Sequence, residues 1–142
     1  MVQNQANRIY VLDSFAAFAV LKDEPGAPMV LRRLDQARQG EIDIAMSVIN
    51  LGEVVYKTIR ERSYDEAVLA RVLVEAWPVT LIDVDARLAL AAADIKGSYA
   101  LSYADCIAAA LALQLEGSVV TGDPEFHKIE HLVPIDWLPQ RP

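Results

Sequence analysis

The feature that most constrains this chain is the alternation of short apolar runs with helical spans. Ile9-Tyr10-Val11-Leu12 is apolar without a break, as a strand covered on both faces must be. Residues 14–21 read as a helix stopped by Pro25-Gly26, and residues 29–39 as a second helix ended by Gly40. Residues 42–46 form a short strand. Ser47 caps a helix over 48–62, and Ser63 with Glu66 makes a capping-box start for a helix that ends before Pro78. Residues 79–84 are the next strand. Asp85 caps a helix over 86–96 closed by Gly97, and Ser102 caps a strongly apolar helix over 103–116 ended by Gly117. Residues 118–121 are a strand, 125–130 a short helical segment, and 133–138 a last strand. Pro134 suits that strand to the edge of a sheet. Strand and helix alternate throughout, so the expected fold class is α/β, with a central, mostly parallel sheet covered by helices on both faces. With no repeat, low-complexity tract or long linker, residues 1–142 are read as one domain. In such sheets the site lies beyond the carboxyl ends of the strands.

Charge bears next on function. Twenty Asp and Glu face 13 Lys and Arg, a net charge of -7, which on its face speaks against a polyanionic partner. The single cysteine, Cys106, lies in an Ala/Leu-rich run and reads as a buried thiol. It excludes an intrachain disulfide and a Cys-based zinc site. No apolar run approaches the roughly 18 residues of a membrane span. The apolar stretch 9–21 is broken by Asp13 and Ser14, unlike a secretory leader, so a cytoplasmic protein is expected.

Most acidic residues sit among other charges and read as solvated faces or helix caps. Four stand apart. Asp13 is the only charge between Arg8 and Lys22, Glu53 between Asp43 and Lys57, and Asp105 between Lys96 and Glu116, while Asp123 directly follows the apolar strand 118–121. A lone carboxylate in a core element costs several kcal/mol unless compensated. Each has an ordinary structural role open to it. Asp13 fits a helix cap, Asp123-Pro124 a helix start, and Asp105 the fourth position of a capping box begun by Ser102. Glu53 lies at the edge of the stripe Val48, Gly52, Val55 and Ile59, where it reaches solvent. Yet Asp13 and Asp123 fall at the carboxyl ends of strands, and Glu53 and Asp105 near helix N-termini. In a parallel α/β unit these points share one rim. An all-carboxylate cage selects hard ions such as Mg²⁺ or Mn²⁺ rather than zinc. Such ions activate water and stabilise charge developing on a phosphodiester, and they reverse the local field, so that an acidic protein still holds a phosphate there.

Four segments carry a resemblance: Tyr10-Val11-Leu12-Asp13-Ser14, Asn50-Leu51-Gly52-Glu53-Val54, Leu101-Ser102-Tyr103-Ala104-Asp105-Cys106, and Val120-Thr121-Gly122-Asp123-Pro124-Glu125-Phe126. In this order and spacing, across nearly the whole chain, they resemble the PIN-domain family, specifically the VapC-type toxin ribonucleases. The resemblance implies a PIN-like three-layer α/β/α sandwich and a four-acid site for Mg²⁺ or Mn²⁺. It implies hydrolysis of single-stranded or looped RNA by a metal-activated water, leaving a 5′-phosphate. The family's acids carry over to Asp13, Glu53, Asp105 and Asp123, Thr121 matches a supporting hydroxyl, and Ser14 and Asn50 are further supporting positions. A homodimer and a cognate antitoxin are implied as partners, with no membrane. On this expectation Asp13, Asp105 and Asp123 bind the ions, while Glu53 completes the shell and orients the attacking water.

No motif marks the RNA contacts. Arg32, Arg33, Arg38, Lys57, Arg60, Arg62 and Lys96 offer a basic rim or, equally, soluble helix surfaces. His127-Lys128-Ile129-Glu130-His131 matches an H-x-x-E-H zinc string, but only eleven residues follow it, with Asp136 the sole carboxylate among them. A Walker loop and a G-x-G-x-x-G fingerprint are absent, and Phe15 stands two beyond Asp13 where a phosphoaspartyl hydrolase needs a second acid. Two alternatives to a toxin ribonuclease stay open. One is a PIN nuclease outside toxin–antitoxin pairs, the other a non-catalytic binding module that docks partner helices on the apolar stretches 15–21 and 46–59.

Overall fold

The computed structural model describes residues 7–140, so residues 1–6 and 141–142 of the expected 1–142 domain lie outside the described residues. Its elements run in the order β1 (Arg8–Leu12), α1 (Ser14–Leu21), α2 (Ala27–Arg38), β2 (Ile42–Ser47), α3 (Val48–Glu61), α4 (Tyr64–Ala76), β3 (Thr80–Ile82), α5 (Ala86–Ser98), α6 (Tyr103–Gln114), β4 (Ser118–Thr121), a 3₁₀ turn at Pro124–Ile129, and β5 (Ile135–Trp137). The five strands form one sheet, ordered β3-β2-β1-β4-β5, with every pairing parallel. β5 is an edge strand, as Pro134 requires.

The period-two alternation of each strand feeds two cores. Tyr10, Leu12, Ile44, Met46 and Val120 point to the face covered by α1, α2, α3 and α4. Val11, Ala45 and Val119 point to the other, under α5 and α6. That is the sandwich the alternation predicts. α6 is buried from Cys106 to Ala112 without a break. A helix apolar all round belongs in the middle of a fold, and α6 packs on α5, α3 and three strands. Cys106 is a free, fully buried thiol within it, and burial raises its pKa.

Several element boundaries differ from the sequence expectation, each for a local reason. α2 starts at Ala27 instead of residue 29, because Pro28 fits a first turn whose N–H groups have no partner. Gly97 does not close its helix, and α5 continues to Ser98. α6 stops at Gln114, and Glu116, not Gly117, takes the left-handed conformation at φ 54°. Gly117 is needed for a different reason: a Cβ there would lie 2.4 Å from the Ile9 carbonyl oxygen, where α6 hands over to the sheet. β3 is three residues long rather than six. Among the described residues no helix is long and apolar enough to cross a membrane.

Candidate metal and phosphodiester site

Two strand ends and the first two turns of two helices bring acidic groups to the same edge of the sheet. β1 ends at Leu12, and Asp13 follows as the N-cap of α1, accepting the Ala16 N–H at 2.9 Å. β4 ends at Thr121, and Asp123 starts the 3₁₀ turn, accepting the Glu125 N–H at 2.9 Å. Because β1 and β4 are adjacent and parallel, these two carboxylates emerge side by side. Glu53 stands on the second turn of α3 and Asp105 in the first turn of α6. Together the four acids line one cavity of about 680 Å³, with Ser14 also on its wall. Cap and site readings are therefore compatible: Asp13 and Asp123 cap helical turns with part of the carboxylate and face the cavity as well.

The polar residues behind the cavity hold these acids in place. The Thr121 hydroxyl accepts the Asp123 N–H at 3.1 Å and bonds the Asp13 carboxyl, so one side chain links both strand ends. Ser47 caps α3 by accepting the Asn50 N–H, and its own hydroxyl donates to Asn50 Oδ1 at 2.7 Å. Asn50 Nδ2 then donates to Glu53 Oε1 at 3.2 Å and to the Ala104 carbonyl at 3.3 Å, beside Asp105. Asn50 is fully buried and ties α3 to α6 at the cavity. Gly122, between Thr121 and Asp123, sits so close under Phe15 that a Cβ would meet the ring at 2.5 Å. Bulk at this position would move Asp123.

The electrostatics are those of carboxylates crowded together. Asp13 is 1% exposed, and burial, assisted by Asp105 and Asp123, pushes its pKa up to about 8 despite the bonds from Thr121 and Ala16. Burial and the charges of Asp123 and Glu53 raise Asp105 to about 6, against the Ser102 hydroxyl and Lys57. The neighbouring cation is Lys57, whose Nζ lies 3.6 Å from Glu53 Oε2. The donors suit a hard divalent cation in kind, being oxygen throughout. Among the described residues no three His, Cys, Asp or Glu side chains stand close enough to make a ready-formed ion cluster. The fit is thus one of donor chemistry and shared cavity rather than preset coordination geometry.

Other sequence candidates go elsewhere. Arg33 bonds Asp136 at 3.1 Å and lies over the Tyr10 ring at 4.4 Å, fastening α2 to the sheet. Arg62 pairs with Glu66, and Lys96 donates to the Leu101 carbonyl at 2.7 Å. His127 stacks on Trp137 with centroids 4.3 Å apart, whereas His131 bonds the Tyr99 hydroxyl, so the two histidines of the H-x-x-E-H string do not share a ligand site. Sequence reasoning missed Lys22, Phe18 and Tyr56, which also line the cavity. Tyr56 had a readable signal, because it lies three residues from Glu53 on the same helical face. Lys22 had none: its partner Glu61 is 39 residues away.

A family model described as PIN domain matches residues 10–132. No curated protein matches this chain. Among solved structures it is similar to VapBC2 from Rickettsia felis bound to a DNA fragment from their promoter, with a TM-score of 0.70 and 18% identity over 92% of this chain and 99% of that one. It is similar to Mycobacterium tuberculosis VapC20, described as a Sarcin-Ricin loop cleaving toxin, with a TM-score of 0.70 and 16% identity over 92% and 99%. DNA-bound VapBC from Salmonella typhimurium gives a TM-score of 0.66 and 18% identity over 94% and 98%. At such identities the likeness establishes the fold.

Proposed function

This chain belongs to the PIN-domain family, and we propose that within it the chain is a Mg²⁺- or Mn²⁺-dependent endoribonuclease, the toxin of a toxin–antitoxin pair. The observation that carries this reading is the meeting of Asp13, Glu53, Asp105 and Asp123, from four separate elements, at one cavity beyond the carboxyl edge of the sheet. Asp13, Asp105 and Asp123 would hold the ion and Glu53 would complete its surroundings. The ion would supply a water of lowered pKa and a counter-charge for the phosphodiester. Thr121 links Asp13 and Asp123, and Asn50 fixes the Glu53 carboxylate, which would orient the attacking water. Ser14 supplies a further hydroxyl on the cavity wall.

The toxin assignment rests on the likeness to VapBC complexes, and it implies a cytoplasmic protein, a homodimer and a cognate antitoxin. A groove between α1, α3 and α4, lined by Phe18, Leu21, Leu69 and Leu73, suits the apolar face of an antitoxin helix. The deciding measurement is RNA cleavage with Mg²⁺ or Mn²⁺, comparing wild type with Asp13→Asn and Asp105→Asn. Cleavage by the wild type, its suppression by EDTA, and a loss of at least about a hundredfold in each variant are expected. Equal cutting by all three would refute the site. Expression without a partner should arrest growth, and co-expression of the antitoxin should restore it.

A further inference from the structure

The cavity extends past the four acids along α3. Glu53, Tyr56, Lys57 and Glu61 all line it and follow the i, i+3, i+4, i+8 spacing of one helical face, so α3 forms a wall about 12 Å long beyond Glu53. The facing wall is α1, with Phe18 and Lys22. This part of the cavity differs in character from the acid end. Tyr56 is 42% exposed, although aromatic rings are ordinarily covered, and the Arg60 guanidinium lies over it at 5.2 Å from the centroid. Lys22 Nζ sits 4.3 Å from the Phe18 centroid and 3.0 Å from Glu61 Oε2, spanning α1 to α3. Aromatic faces interleaved with ammonium and guanidinium groups are what a flexible single strand of nucleic acid uses, with bases on the rings and phosphates on the cations. The ion pairs Lys22–Glu61 and Lys57–Glu53 involve lysines that are 42% and 40% exposed. Lys22–Glu61 is exposed on both sides and holds weakly, so a phosphate displaces Glu61 from Lys22 at little cost, whereas Lys57 stays beside the buried Glu53 and offers a phosphate its solvent-facing side.

We propose that Tyr56 stacks a base of single-stranded RNA next to the bond being cut, while Lys22 and Lys57 hold the flanking phosphates. The proposal rests on the nuclease reading for the location of the cut, but not for binding. It accounts for how a chain of net charge -7 engages RNA: the contacts are few, local and confined to unpaired strand, since no duplex-wide basic surface is required. Tyr56 acts here as a specificity and positioning residue, and the four carboxylates are left to do the chemistry.

The test measures binding of a short single-stranded RNA, by fluorescence anisotropy, to full-length protein carrying Asp13→Asn so that the strand stays intact. Adding Tyr56→Ala should weaken binding roughly tenfold or more, and Tyr56→Phe should leave it within about twofold, because the face and not the hydroxyl is used. Adding Lys22→Gln should lower the salt slope by about one. In parallel, in protein with native Asp13, Tyr56→Ala should lower kcat/KM for single-stranded RNA, through KM, far more than it lowers kcat/KM for a small chromogenic phosphodiester. Unchanged RNA affinity in Tyr56→Ala overturns the proposal, as does equal affinity for duplex and single strand. Failure of the wild type to hydrolyse either substrate overturns the nuclease reading and leaves the binding result to decide on Tyr56.

Discussion

Asp13 is the residue on which structure and proposed chemistry press hardest against each other. Burial lifts its pKa to about 8, above the 3.8 of a free carboxyl. A raised carboxyl pKa makes the folded state bind more protons than the unfolded one between those two values, so stability falls as pH rises through that window. Below the lower value both states are protonated and the penalty is absent. Metal-free protein should therefore lose stability from about pH 4 to 8, and Asp13→Asn should flatten that part of the profile and melt several degrees higher at pH 8, while abolishing cleavage. Urea or thermal unfolding across this pH range measures it, and parallel profiles for the two proteins would contradict it. On the proposed function the price of a buried acid has a use: Asp13 would stay neutral until a cation displaced its proton.

At the scale of elements, Asn50 shows how the site depends on helix-to-helix contacts. Removing its amide in Asn50→Ala takes away the bonds to Glu53 and Ala104 and leaves the buried Ser47 hydroxyl without its acceptor. A loss of about 1–3 kcal/mol in stability is expected. Cleavage should fall by more than the folded fraction does, which activity normalised to folded protein would show. The same scale explains how much could be read in advance. Ser47, Ser63, Asp85 and Ser102 all cap where local pattern puts them, because a cap needs only the next three residues. The isolation of the four acids in apolar sequence was legible for the same reason, and the parallel sheet gathers them at one cavity as expected, their chemical role being part of the proposed function. The role of Gly117 was not legible, since it is set by the Ile9 carbonyl more than a hundred residues earlier in the chain. Lys22 likewise takes its meaning from Glu61 on another element, whereas Asn50 is a supporting position on the resemblance and only its bond to the Ala104 carbonyl lies outside local pattern. The Tyr99–Ser102 loop is held by Lys96 and Lys128 through carbonyls no spacing rule would nominate.

Over the whole molecule, the acid surplus and the site answer to different ranges of electrostatics. Exposed charges are screened within about 8 Å at physiological salt, so the net charge of -7 acts mainly on encounter, whereas burial in a shared cavity, with the charges of neighbouring acids, raises the pKa of Asp13 and of Asp105. Added Mg²⁺ should raise the melting temperature of the wild type, since a ligand that binds only the folded state stabilises it, with the gain growing as the logarithm of concentration beyond Kd. Asp13→Asn combined with Asp105→Asn should remove most of that gain, and equal gains in both proteins, read by differential scanning fluorimetry, would place the ion elsewhere.

The strand order has a consequence in time as well as in space. β1 is made first but lies in the middle of the sheet, and its partner β4 is made only after α6, with Leu12 opposite Val120. Closing that pairing must wait for the more than one hundred residues between the two strands, and non-local parallel pairing is slow. Asp13 thus spends synthesis without Asp105 or Asp123 beside it. Until β4 has been made and paired with β1 the four acids have no common cavity, so the proposed cleavage activity cannot precede that pairing.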